Sequence, residues 1–386
     1  MTVSAPVSAA VSAAVSDQQG AAGTAERLPV SVLTGFLGSG KTTLLGELLR
    51  HPGMARVACV INEFGEIGLD HLLVAKSTGE MVVLDNGCLC CTVRSDLVDT
   101  LCDLFVRRVR GECPDFDRVV IETTGLADPV PVLHALMSHP LVAARYRLDG
   151  VITTVDAVLG QGQLDRHPES VKQAAVADRL VVTKSDLATP ETAAIVIRRL
   201  RALNPAAPIV VAAHGAVAPT ALFDAGLYNP ATRSPEVRRW LNEAAYQGAA
   251  PGHRHDDHQG EAHDHSREDC GARDHDHDRR IASFCLLVDQ PMPWENFLDF
   301  ADALIASYGE RVLRLKGLLN IRESAVPLVI HGVQHLFHPV VPLSHWPDGD
   351  HRSKLVLITR DLDRATVEAL LDRHLSGVAS GSGTET

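Results

Sequence analysis

The stretch Thr34-Gly35-Phe36-Leu37-Gly38-Ser39-Gly40-Lys41-Thr42-Thr43 decides the fold. It fits G-x-x-x-x-G-K-[ST], with Gly35 and Gly40 framing a loop that Lys41 and Thr42 close. Ahead of it, residues 29–33 (PVSVL) are a short apolar run of strand type. Behind it, residues 43–50 (TLLGELLR) read as an amphipathic helix. A strand feeding a glycine loop that opens a helix aims backbone N–H groups and the helix dipole at one point, which suits a phosphate chain. The glycines admit the phosphates close to the backbone. Lys41 would reach the β- and γ-oxygens, and the Thr42 hydroxyl would ligate magnesium.

Outward from this loop, strand-like and helix-like segments alternate up to about residue 225. Strands are predicted at 57–61, 81–84, 118–121, 150–155, 179–183 and 208–211, and helices at 95–110, 129–137, 190–203 and 219–224. This βαβα rhythm predicts an α/β P-loop NTPase domain, residues 27–225, with a mostly parallel sheet covered on both faces. Ligands of such sheets sit at the carboxyl ends of the strands, where the remaining motifs fall. After 57–61 comes Asn62-Glu63-Phe64-Gly65-Glu66-Ile67-Gly68-Leu69-Asp70, an acidic glycine loop able to reach magnesium, the γ-phosphate or a second metal, and equally readable as a solvated turn. After 81–84 comes Cys88-Leu89-Cys90-Cys91. Three thiols so close suit a soft or borderline metal, and C-x-C-C can supply two or three ligands of a tetrahedral zinc site, with Glu66 the candidate for the missing one and Glu63 beside it. Cys59, Cys102, Cys113 and Cys285 are isolated and read as packing residues.

The run 118–121 ends at Glu122-Thr123-Thr124-Gly125. A carboxylate there would hold the magnesium shell or the attacking water, and Gly125 would let the next segment hinge about the γ-phosphate. Asp156 is similarly placed but has no motif around it, and reads as structural. The run 179–182 ends at Thr183-Lys184-Ser185-Asp186, close to the Asn-Lys-x-Asp base-reading motif of GTPases. The Asp186 carboxylate can accept from guanine N1–H and the 2-amino group together, whereas adenine would leave it unpaired, so GTP is favoured over ATP. Thr183 stands where asparagine is usual, and its shorter side chain makes fewer such bonds.

Taken together, GFLGSGKTT (35–43), NEFGEIGLD (62–70), NGCLCC (86–91), ETTGLADP (122–129) and TKSD (183–186) resemble a CobW-type GTPase, of the P-loop metallochaperone group that includes the accessory GTPases of urease and hydrogenase maturation. The resemblance implies metal-responsive GTP hydrolysis and delivery of zinc, cobalt or another transition metal such as iron to a client metalloprotein. By position it makes Gly38, Ser39, Gly40, Lys41, Thr42 and Thr43 the phosphate loop, Cys88, Cys90 and Cys91 the metal motif, and Asp186, with Thr183 and Lys184, the base contact. Ile61 offers no ligand just before NEFG, where some members have one. Lys41, Glu122 and Glu66 are the expected catalytic set. A nucleotide-dependent homodimer is a further partner the reading admits.

Between 226 and 280 the periodicity fails. Residues 248–279 hold seven histidines (His253, His255, His258, His263, His265, His275 and His277) among Asp and Glu, with too little apolar surface to fold alone. This reads as a flexible metal-gathering linker. From 281 to 375 a smaller α+β domain is expected, the CobW C-terminal domain by resemblance. Its strands fall at 281–289, 311–315, 327–331, 336–341 and 354–359, and its helices at 294–307 and 364–374. No catalytic constellation stands out in it, and His331, His335, His338 and His345 read as structural or solvated. Residues 1–26, which lack basic residues and resemble neither a signal nor a transit peptide, read as a disordered tail, and 376–386 as a flexible one.

Composition is consistent with this. A chain of 386 residues is long enough for two domains, and a net charge of −12 argues against nucleic acid or an anionic membrane as partner. No apolar run approaches a membrane span, and crowded thiols among only eight cysteines imply a reducing, cytoplasmic setting. Two rival readings stand beside the chaperone: a metal buffer or sensor with incidental hydrolysis, and an ATP-using kinase-like enzyme, against which Asp186 argues. An insertion factor for cobalt or iron, serving a cobalamin-pathway or nitrile-hydratase-type enzyme, is a variant of the chaperone reading.

Overall fold

The computed structural model describes residues 27–61, 72–75, 81–84, 93–223, 281–338 and 340–376, together with Val237 and Tyr246. The first sheet is built from β1 (Leu28–Gly35), β2 (Val57–Ile61), β3 (Leu72–Ala75), β4 (Met81–Leu84), β5 (Arg118–Glu122), β6 (Tyr146–Asp156), β7 (Arg179–Thr183) and β8 (Ile209–Val211). Its spatial order is β4-β3-β2-β5-β1-β6-β7-β8. The strands from β2 to β8 in that order pair in parallel, while β3 runs antiparallel to both β2 and β4. Chain order reverses at β1, with β5 on one side and β6 on the other. That reversal opens the crevice at the β1 carboxyl end where such sheets bind ligands.

Helices cover both faces because the parallel strands are apolar on both faces. Between the strands run α1 (Lys41–Leu49), α2 (Val93–Arg110), α3 (Val130–Ser138), α4 (Pro140–Ala143), α5 (Gly160–Arg166), α6 (Pro168–Ala175) and α7 (Pro190–Leu203). Leu44, Leu45 and Leu48 of α1 pack with Leu33, Cys59 and Val120 on one face. Leu97, Leu101 and Leu104 of α2 join Leu133 and Leu136 of α3 against Val30, Val32 and Ile121 on the other.

The second sheet is antiparallel, with strands β9 (Ile281–Val288), β10 (Val312–Leu319), β11 (Leu328–Val333), β12 (Leu336–Phe337), β13 (Val341–Pro342) and β14 (Ser353–Arg360) in the order β12-β11-β10-β14-β9, and β13 paired to β11. Helices α8 (Trp294–Tyr308) and α9 (Arg364–Ser376) cover one face through Phe297, Phe300, Leu304, Leu370 and Leu371. From β10, Arg314 reaches the first domain, where its guanidinium bonds the Asp178 carboxylate and the Val176 carbonyl. Lys316 Nζ joins the same carboxylate at 3.1 Å. Val333 and Leu336 also pack into the core under α2 and α3.

Several expectations need correction. Strand β3 and helices α5 and α6 were not anticipated. The sequence GQGQLDRHP carries two glycines and a proline, which read as breakers, yet Pro168 simply occupies the first turn of α6, where a missing N–H costs nothing. The predicted helix at 219–224 is a single 3₁₀ turn, Pro219–Ala221. The predicted strand at 336–341 is two short strands, β12 and β13. His338 is buried and His331 half-buried at the domain seam, their rings edge to face at 5.7 Å. Burial holds both below the ordinary histidine value, His338 at about 4.

Candidate active site

The phosphate loop is held in a shape that only its glycines permit. Gly35 ends β1 at φ 143°, and a Cβ there would lie 2.2 Å from Thr154 Oγ1. Gly40, left-handed at φ 87°, opens α1. Ser39 is fully buried and its hydroxyl lies 2.6 Å from that of Thr154, so it braces the loop from beneath. Lys41 arches over the loop, its Nζ donating to the carbonyls of Gly35 at 3.0 Å and Phe36 at 3.3 Å. The ammonium thus sits above the backbone that would cradle phosphates.

Beside it, Thr42 Oγ1 donates to Glu122 Oε1 at 2.6 Å, and Glu122 is nearly buried at the end of β5. Two residues eighty positions apart therefore meet in one hard-oxygen pair. This donor set fits magnesium, which prefers few protein oxygens and keeps water and phosphate for the rest. The next residue, Thr123, donates its hydroxyl to Thr34 Oγ1 at 2.8 Å and its backbone N–H to Leu33. At Gly125 the loop presses on the phosphate loop so closely that a Cβ would stand 2.7 Å from Leu37 N and Cα.

At the far side, Thr183 Oγ1 donates to the Ser39 carbonyl at 2.7 Å, so Thr183 contacts the phosphate loop. Asp156 braces the base-reading motif. Its buried carboxylate accepts from Lys184 Nζ at 2.7 Å and from the N–H groups of Val158 and Leu159, and so fixes Lys184 in its left-handed turn (φ 55°). Asp186 Oδ1 accepts from the His214 backbone N–H at 2.9 Å, which lowers its pKa, and Oδ2 lies 3.2 Å from His214 Nδ1. The segment 212–216 (AAHGA) was missed by sequence reasoning. Ser185 also bonds Ala212, and a Cβ on Gly215 would lie 3.3 Å from the Thr43 carbonyl, which leaves φ 77° at Gly215 as the readable signal.

Glu63, Glu66, Cys88, Cys90, Cys91 and the seven histidines from His253 to His277 lie outside the described residues. The strands that lead to them are described. Because β3 is antiparallel to both neighbours, β4 runs in the same sense as β2, and Ile61 and Leu84, their last residues, stand at the edge that also holds the nucleotide loops. β4 stands two places from β2, or about 10 Å at ordinary strand spacing, and four places from β1. The strand that precedes the cysteine run in sequence and the strand that precedes the phosphate loop are therefore not adjacent. Among the described residues no group of three or more His, Cys, Asp or Glu could hold a metal ion, and no helix is long and apolar enough to cross a membrane. Cys59 is buried in β2, where burial pushes its thiol up to about 12, as suits a packing residue.

The glycine loop between β1 and α1, at the point where the sheet reverses, defines a P-loop NTPase. Residues 29–211 match the CobW/HypB/UreG nucleotide-binding domain and residues 281–375 the cobalamin synthesis protein cobW C-terminal domain. The zinc chaperone YjiA of Escherichia coli is 31% identical over 342 residues, covering 89% of this chain and 97% of that protein. The zinc-regulated GTPase metalloprotein activator 1 of Saccharomyces cerevisiae is 29% identical, covering 91% of this chain and 84% of that one. The solved structure of Zn(II)-bound YjiA GTPase from E. coli superposes with a TM-score of 0.64 at 27% identity, over 90% of this chain and 99% of that one. The chain belongs to the CobW family.

Proposed function

We propose that this CobW-family GTPase binds a transition metal, zinc foremost, at Cys88, Cys90 and Cys91, and hands it to a client metalloprotein in step with its GTP cycle. The observation that supports the reading is strand direction: β2, β4, β5, β1, β6 and β7 all end at one edge of the sheet, the edge that holds Lys41, Glu122 and Asp186. Thiolates with one carboxylate, Glu66 or its neighbour Glu63, suit zinc as cargo, with cobalt and iron as weaker alternatives. The histidine tract would gather metal for that site. Its relatives carry the matching names, zinc chaperone and zinc-regulated GTPase metalloprotein activator.

In hydrolysis, Gly38 to Thr43 hold the phosphates and the Lys41 ammonium leaves its loop carbonyls to meet the β- and γ-oxygens. Thr42 and Glu122 would hold magnesium, which supplies charge neutralisation on the phosphates. Thr183 and Lys184 shape the pocket, and Asp186 reads guanine. Leu37, Leu126, Leu159 and Leu187, each more than half exposed, lie in the loops at the same edge and suit a nucleotide-dependent homodimer face.

Zinc competition against a chelator, with a non-hydrolysable GTP analogue and then with GDP, tests the cycle. If metal and GTP order the same 62–70 loop, zinc binds about 5- to 150-fold more tightly with the GTP analogue, and Cys90→Ser abolishes the difference. Equal zinc affinity in both nucleotide states overturns the reading.

A further inference from the structure

Helix α6 touches three parts of the molecule. At its start, the His167 ring stacks on Phe36 of the phosphate loop, with centroids 4.5 Å apart and planes 26° apart. In its second turn, the Lys172 ammonium pairs with the Asp128 carboxylate, and Gln173 Nε2 donates to the carbonyls of Gly125 at 3.2 Å and Ala127 at 3.0 Å. Past its end, the Val176 carbonyl accepts from Arg314 of the second domain, and Ala175 packs on Leu313 and Ile358.

Gln173 is 1% exposed, and both bonds serve a single loop. Carbonyl oxygens only accept, so the amide can face them in one orientation, with its NH₂ group toward residues 125 and 127. Its backbone carbonyl is tied in turn by Thr153 Oγ1 of β6 at 2.8 Å. The amide is thus anchored to the sheet and aimed at the loop that follows Glu122. That loop is held on its other side by the phosphate loop, where Gly125 meets Leu37. Oε1 of the same amide is buried without a hydrogen-bond partner. A side chain that only filled space would be better apolar at such a position, since a lone buried acceptor is costly.

We propose that Gln173 is a positioning residue for GTP hydrolysis: its amide sets the register of the 123–129 loop against the phosphate loop, and so the placement of Glu122 and the groups near the γ-phosphate. The inference rests on the GTPase activity and not on the metal cargo.

The test uses the full chain and compares Gln173→Met, nearly the same shape without the donors, with the unmodified protein. Single-turnover GTP hydrolysis, GTP affinity, melting temperature and hydrogen exchange of the 123–129 peptide are measured on each. Misplacement of about an ångström predicts a hydrolysis rate lower by about 10- to 100-fold, with GTP affinity within a few-fold and melting temperature retained. Exchange over 123–129 rises, while that of α1 stays constant. Gln173→Glu adds a pH signature: ionised, it faces two carbonyls and is slow, and its rate recovers at low pH relative to Gln173→Met, because the protonated acid regains one donor. An unmodified rate in Gln173→Met, or a loss explained by weaker GTP binding, overturns the proposal. Should Gln173→Met fail to fold, Gln173→Glu decides alone: a rate that recovers as pH falls, relative to the unmodified protein, with slower exchange over 123–129 supports the proposal, and a pH profile parallel to that of the unmodified protein overturns it.

Discussion

Thr183 donates its hydroxyl to the carbonyl of Ser39 at 2.7 Å, so the first residue of the base-reading motif grips the phosphate loop. Its Cβ and hydroxyl also stand 3.6 Å from where a Cβ on Gly40 would be. A threonine thus ties β7 to the loop. Thr183→Val keeps the shape and removes one hydrogen bond, leaving the Ser39 carbonyl short of a donor. The expected loss is about 1 to 2 kcal/mol, or roughly tenfold in affinity for GTP and GDP alike. Preference for guanine over adenine should not change. Titration with fluorescent guanine and adenine nucleotides checks both statements, and a changed preference would place Thr183 at the base instead.

Asp186 should carry that preference. The His214 backbone N–H fixes one carboxylate oxygen and keeps the group ionised, so the acceptor is oriented before any ligand arrives. Asp186→Asn replaces an acceptor with a donor. Affinity for GTP should fall, while affinity for xanthosine triphosphate, whose 2-oxo group accepts where the guanine 2-amino group donates, should rise. Competition between the two triphosphates on the variant is the measurement. His214→Ala should change little, because the backbone donor remains.

The phosphate loop, the Glu122 turn and TKSD were legible because each depends on local chemistry: a glycine where φ must be positive, or a charge at the end of an apolar strand. Asp156 was visible in sequence but not assignable. Its partners, Lys184 and the N–H groups of Val158 and Leu159, are made by a turn that has no side-chain signature. Gln173 was invisible. A glutamine on a short helix is ordinary, and only the tertiary approach of residues 125 and 127 gives it work. Strand β3 escaped because four residues, LLVA, are too few to show a period. Its presence moves β4 one strand farther from β1 than direct pairing of β2 and β4 would.

Stability should depend on pH through His338. The folded chain binds its proton near pH 4, because burial disfavours the cation, whereas the unfolded chain binds it near 6.5. Between these values the unfolded state holds more protons, so stability falls as pH drops from about 6.5 to about 4 and the contribution is constant below that. The shift corresponds to on the order of 3 kcal/mol. His338→Gln removes the proton site. The difference in unfolding free energy between it and the unmodified protein, followed from pH 7 to 4, should therefore change by about that amount in favour of the variant. A parallel decline in both proteins would assign the acid sensitivity to other groups.

The domain seam supplies the last prediction. Asp178 lies just before β7, at the end of the sheet opposite the nucleotide, and is tied to β6 by the Val151 N–H at 3.0 Å. Burial alone would raise its pKa, but Arg314 and Lys316 outweigh it and hold the carboxyl well below the usual range. Lys316 is in turn lowered to about 8, chiefly by burial and by Arg314. Two cations share one carboxylate, so removing either sign leaves a buried charge poorly matched. Arg314→Met should destabilise the chain by about 3 to 5 kcal/mol, since it strips the guanidinium from both Asp178 and the Val176 carbonyl. Asp178→Asn should cost a comparable amount, because it leaves Arg314 and Lys316 facing each other. The double variant should cost less than the sum of the two, by about 1 to 3 kcal/mol, because the residues form one network. GTP affinity should stay within a few-fold in all three proteins, since the pocket lies at the other end of the strands. Urea unfolding of the four proteins gives the coupling energy, and strictly additive losses would mean that Arg314 and Asp178 act independently across the seam.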